Sequence, residues 1–190
     1  MIIVTGGAGF IGSNLVAALN ARGRKDVVLC DHLGVDDKWR NIARRQIADI
    51  VAPEALFSYI RNHADGGAWG AVEAVFHMGA NSSTTETDVD LIVSQNFKFS
   101  LDLWRLCAEQ RVRLIYASSA ATYGGGEAGF SDGLDISRLG QLKPLNPYGW
   151  SKHLFDQRVA DLAMDPRTRP PQYVGLKFFN VYGPNEYHKG

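Results

Sequence analysis

Cysteine is scarce in this chain, neither charge sign is in excess, and no long apolar run is present. Two cysteines in 190 residues, Cys30 and Cys107, cannot build the bridged framework of a small secreted fold, and a reducing compartment fits best. Twenty Lys and Arg against twenty Asp and Glu give a formal net charge of zero. A generic nucleic-acid binder carries a basic field, so no nucleic-acid partner is expected. No apolar stretch nears the ~18 residues of a spanning helix, and Met1-Ile2-Ile3-Val4 runs into Thr5-Gly6-Gly7 without a basic n-region. The expectation is a cytoplasmic protein without membrane association. The five histidines, at 32, 63, 77, 153 and 188, show no ligand spacing with cysteine, so no metal is expected. No G-x-S-x-G elbow surrounds Ser119, which argues against a hydrolase of that design.

What is present is glycine, 20 residues of it, and an alternation of short apolar runs with helical patterns. The runs Ile2–Val4, Val27–Asp31, Ile47–Ile50, Ala74–His77, Arg113–Ser118 and Tyr173–Phe179 read as six strands. Ile11 to Arg22, Pro53 to Arg61, Leu91 to Gln110 and Tyr148 to Met164 read as helices, and Lys38–Arg45 as a shorter one. Strands joined by crossover helices are parallel, and their near-continuous apolar character predicts full burial. The expected class is α/β with a doubly wound parallel sheet. Residues 124–147 read as an irregular excursion.

Gly6, Gly9 and Gly12 recur every three residues between the first strand and the first helix. Small residues there permit a tight turn, close approach of a pyrophosphate and tight helix packing. The helix N-terminus supplies N–H groups and a positive dipole end for phosphate. Asp31 closes the second strand 19 residues after Gly12, where an acid meets the adenosine ribose. Lys38, Arg40, Arg44 and Arg45 follow, able to meet a 2′-phosphate or to form a solvated face. The residues by themselves leave NAD and NADP both open.

Tyr148 and Lys152 stand at i and i+4 on one helix face. A phenol is a weak base at its usual pKa of about 10, and a nearby ammonium is expected to lower that value. The pair then moves protons beside a hydride carrier. Ser118 and Ser119, ending the fifth strand, offer hydroxyls to a substrate oxygen. His77 reads as a packed core histidine.

On these motifs the chain resembles the extended short-chain dehydrogenase/reductases that act on nucleotide sugars, over its whole length. The resemblance implies a Rossmann fold over residues 1–190 that binds NAD(P) and ends at the start of the substrate-binding region, with most of the C-terminal substrate domain absent. A fragment, or a short form of little activity, is the corresponding expectation. The implied cofactor contacts are Gly6, Gly9, Phe10, Ile11 and Gly12 in the loop, then Asp31 with His32 and Lys38, and Asp49 with Ile50 beside the adenine. Met78, Gly79, Ala80, Asn81 and Ser82 follow the fourth strand, one of Gln95 or Asn96 meets the cofactor, and Val181 lies in Asn180-Val181-Tyr182-Gly183-Pro184. Tyr148 is implied as the acid/base, Lys152 as holder of the nicotinamide ribose, and Ser119 with Asn180 as substrate contacts.

Finer segments, Gly79 to Glu86, Tyr116 to Gly125 and His188-Lys189-Gly190, are similar to the ADP-glyceromanno-heptose 6-epimerase family. That likeness implies inversion at C6″ of an ADP-heptose, NADP as cofactor, a homo-oligomer at full length, and Lys189 as a second acid/base that also touches the cofactor. A sugar dehydratase carries an acidic pair where this chain has Ala120 and Ala121. A C4 epimerase on the same fold and a non-catalytic dinucleotide-binding protein are the alternatives; the second is disfavoured because both Tyr148 and Lys152 are kept. Lys177 stands where relatives carry Arg, and Pro53 where a cofactor-side Lys is expected.

Overall fold

A computed structural model describes residues 1–35, 37–63, 66–133 and 135–187. Six strands, β1 (Ile2–Thr5), β2 (Val27–Cys30), β3 (Asp49–Val51), β4 (Ala74–His77), β5 (Arg113–Ser119) and β6 (Tyr173–Phe178), form one sheet in the order β3-β2-β1-β4-β5-β6. This is the Rossmann order, in which the chain reverses direction across the sheet at the β1/β4 junction. β1 pairs in parallel with β2 and β4, and β2 with β3. In that register Thr5 lies beside Cys30 on one side and His77 on the other.

β1 and β2 are buried at every position. The edge strands are not. Asp49 and Ile50 of β3 are exposed, and Val174 and Leu176 of β6 are 42% and 36% exposed. The expectation of full burial therefore holds for β1 and β2, holds in part for β4 and β5, where Phe76, Ile115 and Ala117 are half-buried and Arg113 is exposed, and fails at the edges. An edge strand has a neighbour on one side only, so less of it is covered.

The described residues divide into two compact units. The first comprises 1–79, 112–114 and 181–187, and the second comprises 80–111 and 115–180. In the first unit, Ile2, Val4, Val16, Val27 and Leu29 form a core with Leu15 and Leu19 packed on it. Helix α1 (Phe10–Ala21) buries Phe10, Gly12, Ser13 and Val16. The 3-10 turn Asp37–Asn41 replaces the expected Lys38–Arg45 helix, and α2 is Leu56–Asn62.

In the second unit the long helical pattern is interrupted. α3 (Val89–Ile92) and α4 (Phe99–Glu109) flank a π turn at Val93–Lys98. α5 (Ile136–Leu139) lies within the irregular segment, and α6 (Pro147–Leu162) starts on Asn146, whose side chain accepts from the Gly149 N–H at 2.7 Å. Trp104, fully buried, packs edge-on to Tyr173 and donates to the Thr168 carbonyl at 2.8 Å. Among the described residues no helix is long and apolar enough to cross a membrane.

Candidate functional site

In the first unit, the glycine loop is shaped by backbone packing. Gly6 has φ +63°, a region that favours glycine, and a Cβ there would meet Gly79 Cα and N at 2.8 Å. A Cβ on Gly12 would fall 2.1 Å from the Gly6 oxygen. Gly9 is different: its Cβ would have one neighbour, the Gly6 oxygen, at 3.2 Å. Gly9 is also the N-cap of α1, with no side-chain cap and no acidic residue in the first turn. The positive end of α1, which opens with Phe10 and Ile11, is thus left for an anion, as a bound pyrophosphate requires.

Asp31, just after β2, is brought to this loop. Its carboxylate accepts from the Ala8 N–H at 2.9 Å and pairs with the Lys38 ammonium. Lys38 also donates to the His32 carbonyl at 3.1 Å. The three residues expected at the adenosine end therefore meet. His32 directs its ring to Glu54, at 2.9 Å and well exposed; Glu54 carried no sequence signal. The Asp49 carboxylate accepts from the Ile50 N–H at 2.7 Å. Thr5 Oγ1 accepts from the Gly79 N–H at 3.0 Å and shares a 2.7 Å bond with His77 Nδ1, so His77 is a hydrogen-bonded core residue, as expected. The Met78 N–H donates to the Thr5 carbonyl at 3.2 Å.

In the second unit, Thr84, Ser119, Ala120, Ala121, Tyr148, Phe178, Phe179 and Asn180 line an open cleft of about 430 Å³. Ser119 and Asn180, expected to meet substrate, therefore share a cleft with Tyr148. The Ser119 hydroxyl accepts from the Ala121 N–H at 3.1 Å and lines the cleft with the Tyr148 side chain. Ala120 and Ala121 leave its floor small and without acids.

The electrostatics differ from expectation. Burial raises the Tyr148 pKa above its usual value, and the neighbouring Ser119 hydroxyl offsets part of that rise. The ammonium of Lys152, a residue 5% exposed, is bonded elsewhere: it donates to the Ala117 carbonyl at 2.9 Å. Burial pushes its own pKa down to about 8, against the attraction of Asp156. The lowering of the Tyr148 pKa expected from the i, i+4 spacing is therefore not found: burial dominates at both residues.

Of Gln95 and Asn96, Asn96 is the buried one, 1% exposed, inside the π turn. Its Oδ1 accepts from the Asn81 N–H at 2.8 Å, and its Nδ2 donates to the Asn81 carbonyl at 2.9 Å and to Ser151 Oγ at 3.1 Å. Asn96 thus fixes the loop carrying Ala80, Asn81 and Ser82. Val181 opens a segment of the first unit that α1 holds: Asn14 Nδ2 donates to the Pro184 carbonyl at 2.7 Å. Lys189 lies outside the described residues.

Two residues that sequence reasoning did not assign to the site are central to the second unit. The Asp156 carboxylate, 1% exposed, accepts from Ser118 Oγ at 2.6 Å, Lys177 Nζ at 2.6 Å and the Tyr116 hydroxyl at 3.2 Å. Lys177 also donates to Thr122 Oγ1 at 2.9 Å. The missing Arg therefore costs no partner, because Lys177 bonds two groups at once. The signal for Asp156 was its place four residues after Lys152 and eight after Tyr148, one stripe on α6. Among the described residues no group of three or more His, Cys, Asp or Glu is arranged to hold a metal.

Known proteins resemble this chain closely. It is 50% identical to an ADP-L-glycero-D-manno-heptose-6-epimerase of Fusobacterium nucleatum, over all of this chain and 55% of that protein. It is 49% identical to the enzyme of that name from Nitratidesulfovibrio vulgaris, over 100% and 56%. The chain spans about half the length of the curated relatives it matches. The crystal structure of the Helicobacter pylori ADP-L-glycero-D-manno-heptose-6-epimerase superposes with a TM-score of 0.77 at 30% identity, covering 98% of this chain and 57% of that one. A Thermus thermophilus UDP-glucose 4-epimerase solved with NAD gives 0.74 at 27%, covering 96% and 56%. A family profile spans residues 2–190, and the chain belongs to the NAD dependent epimerase/dehydratase family.

Proposed function

We propose that this chain is the dinucleotide-binding part of a nucleotide-sugar epimerase that inverts C6″ of ADP-D-glycero-D-manno-heptose, serving lipopolysaccharide core synthesis in the cytoplasm. The observation that carries the reading is that the Tyr148 and Ser119 side chains line one acid-free cleft as a pair. Such a pair suits reversible loss of a hydroxyl proton, while elimination of water has no acid or base to use. The 50% identity to a protein of that name supports the substrate.

The glycine loop and the uncapped start of α1 would hold the pyrophosphate of a nicotinamide dinucleotide, and Lys152 the nicotinamide ribose. When bound, that group supplies a reversible hydride acceptor. Tyr148 would take the proton of the C6″ hydroxyl in its phenolate form, which the positive charge of a bound oxidised nicotinamide would favour against the burial that raises its pKa. Ser119 would donate to the same oxygen as charge builds there. The ketone must then present its other face, and Lys189 is proposed as a second carrier that would return the proton to the oxygen in that pose. NADP is preferred over NAD. Asp31 alone would repel a 2′-phosphate, but its charge is paired with Lys38, which offsets that repulsion.

The reading predicts exchange of the two C6″ epimers when the protein is given ADP-heptose, followed by NMR of the sugar. Conversion of UDP-galactose instead would assign a C4 epimerase and overturn it. Chromatography of nucleotide released on denaturation distinguishes NADP from NAD.

A further inference from the structure

The buried ion pair on α6 and β6 does more than fill space. Asp156 and Lys177 are 1% and 8% exposed at their side chains. Replacing a buried ion pair by apolar residues is often neutral or stabilising, so stability alone gives little reason for this one. Its bonds show what it orders. Through Ser118 and Tyr116, Asp156 fastens two alternate side chains of β5 to α6. Through Lys177 and Thr122, whose hydroxyl donates to the Ser119 carbonyl at 2.8 Å, the pair also grips the turn after β5. Ser119 sits between those anchors. One helical turn before Asp156 is Lys152, itself bonded to β5 at Ala117.

We infer that the Asp156–Lys177 pair is a positioning device that registers β5 against α6, setting Ser119 opposite Tyr148 and giving Lys152 its charge partner. Neither residue lines the cleft, so each acts through the groups it holds. The charged and titratable neighbours of Asp156 are Tyr116 on β5, Tyr123 on the following turn, Lys177 on β6, and Lys152 and His153 on α6. Asp156 is the charged group that favours the ammonium form of Lys152, beside the Ala117 carbonyl that accepts from it. Removing the carboxylate takes away that opposing charge and leaves burial opposed by the Ala117 carbonyl alone. The kinetic consequence of this proposal rests on the epimerase reading; the structural part does not.

The test follows the Lys152 side chain by NMR, using the pH titration of its ¹³Cε resonance. Asp156→Asn should lower the midpoint by about one pH unit, the low end of the usual effect of a lost opposite charge. Lys177→Arg should leave it at the wild-type value. If Asp156→Asn fails to fold, Asp156→Asn with Lys177→Met removes both charges and should show the same fall. An unchanged midpoint in a folded variant lacking the carboxylate overturns the inference. In a preparation that exchanges epimers, the Asn variant should lower kcat at least tenfold with KM unchanged, and Lys177→Arg should retain activity. Equal kcat in the Asn variant overturns the positioning role as well. A wild type that exchanges no epimers refutes the epimerase reading, while the titration still decides the inference.

Discussion

Gly12→Ala tests the reading of the phosphate loop most directly. In an ordinary helix this change is favourable by about 1 kcal/mol, because glycine loses more conformational freedom. Here the new Cβ would meet three backbone atoms: Gly6 O at 2.1 Å, Gly6 C at 2.8 Å and Gly7 Cα at 2.9 Å. No rotamer change relieves a clash with backbone, so α1 or the loop must move. Overpacking of this kind costs roughly 1–3 kcal/mol and sometimes more. With a clash this short the upper end applies, and about 2 kcal/mol remains after the helix gain. For a chain of this size 2 kcal/mol lowers Tm by about 4–8 °C. Gly9→Ala is the matched control. Its Cβ meets one atom at 3.2 Å, so Tm should move by less than about 2 °C, while dinucleotide affinity falls because the methyl group enters the start of α1. Calorimetry measures the first quantity and fluorescence titration with NADPH the second. A Gly12→Ala protein that melts with the wild type would refute the packing argument. A Gly9→Ala protein with undiminished affinity would remove the loop from the binding site.

Other outcomes follow from the same geometry. Tyr148→Phe should bind dinucleotide normally and lose about 10²–10⁴-fold in turnover, the usual worth of a positioned acid/base; equal turnover would remove Tyr148 from that role. Lys152, with its folded pKa lowered from 10.5 to about 8, binds fewer protons folded than unfolded in that window. Its destabilising contribution is full below pH 8 and relieved as pH rises toward 10.5. Urea unfolding at pH 7 and pH 10 should therefore show a stability gap between Lys152→Met and wild type that shifts in favour of wild type with rising pH. A gap independent of pH would contradict the buried ammonium. Asn96→Ala removes three hydrogen bonds, two to Asn81 and one to Ser151, and should cost about 2–3 kcal/mol. Faster amide exchange at Asn81 is the accompanying readout.

Local order was largely legible. The β4 run Ala74–His77 coincides with its strand, and α6 begins one residue before the expected Tyr148. The glycine spacing marked the loop because its requirement, the absence of Cβ atoms, is written in residue type. The Leu91–Gln110 pattern concealed a π turn, since periodicity does not register one extra residue per turn. The expected third strand lies two residues late, at Asp49–Val51, because short edge segments take their register from the neighbour they pair with.

The amino-acid sequence by itself determined the β-α alternation, the glycine loop and the Tyr148–Lys152 stripe, because each depends on neighbours within a few residues. Tertiary structure decided the electrostatics. Tyr148 has a raised rather than a lowered pKa because burial, which no spacing encodes, outweighs the lowering by Ser119. Asp156 meets Ser118 from 38 residues off and Lys177 from 21. Hydrogen bonds over such separations exist only once β5, β6 and α6 are packed, and so did the network's claim to organise the cleft.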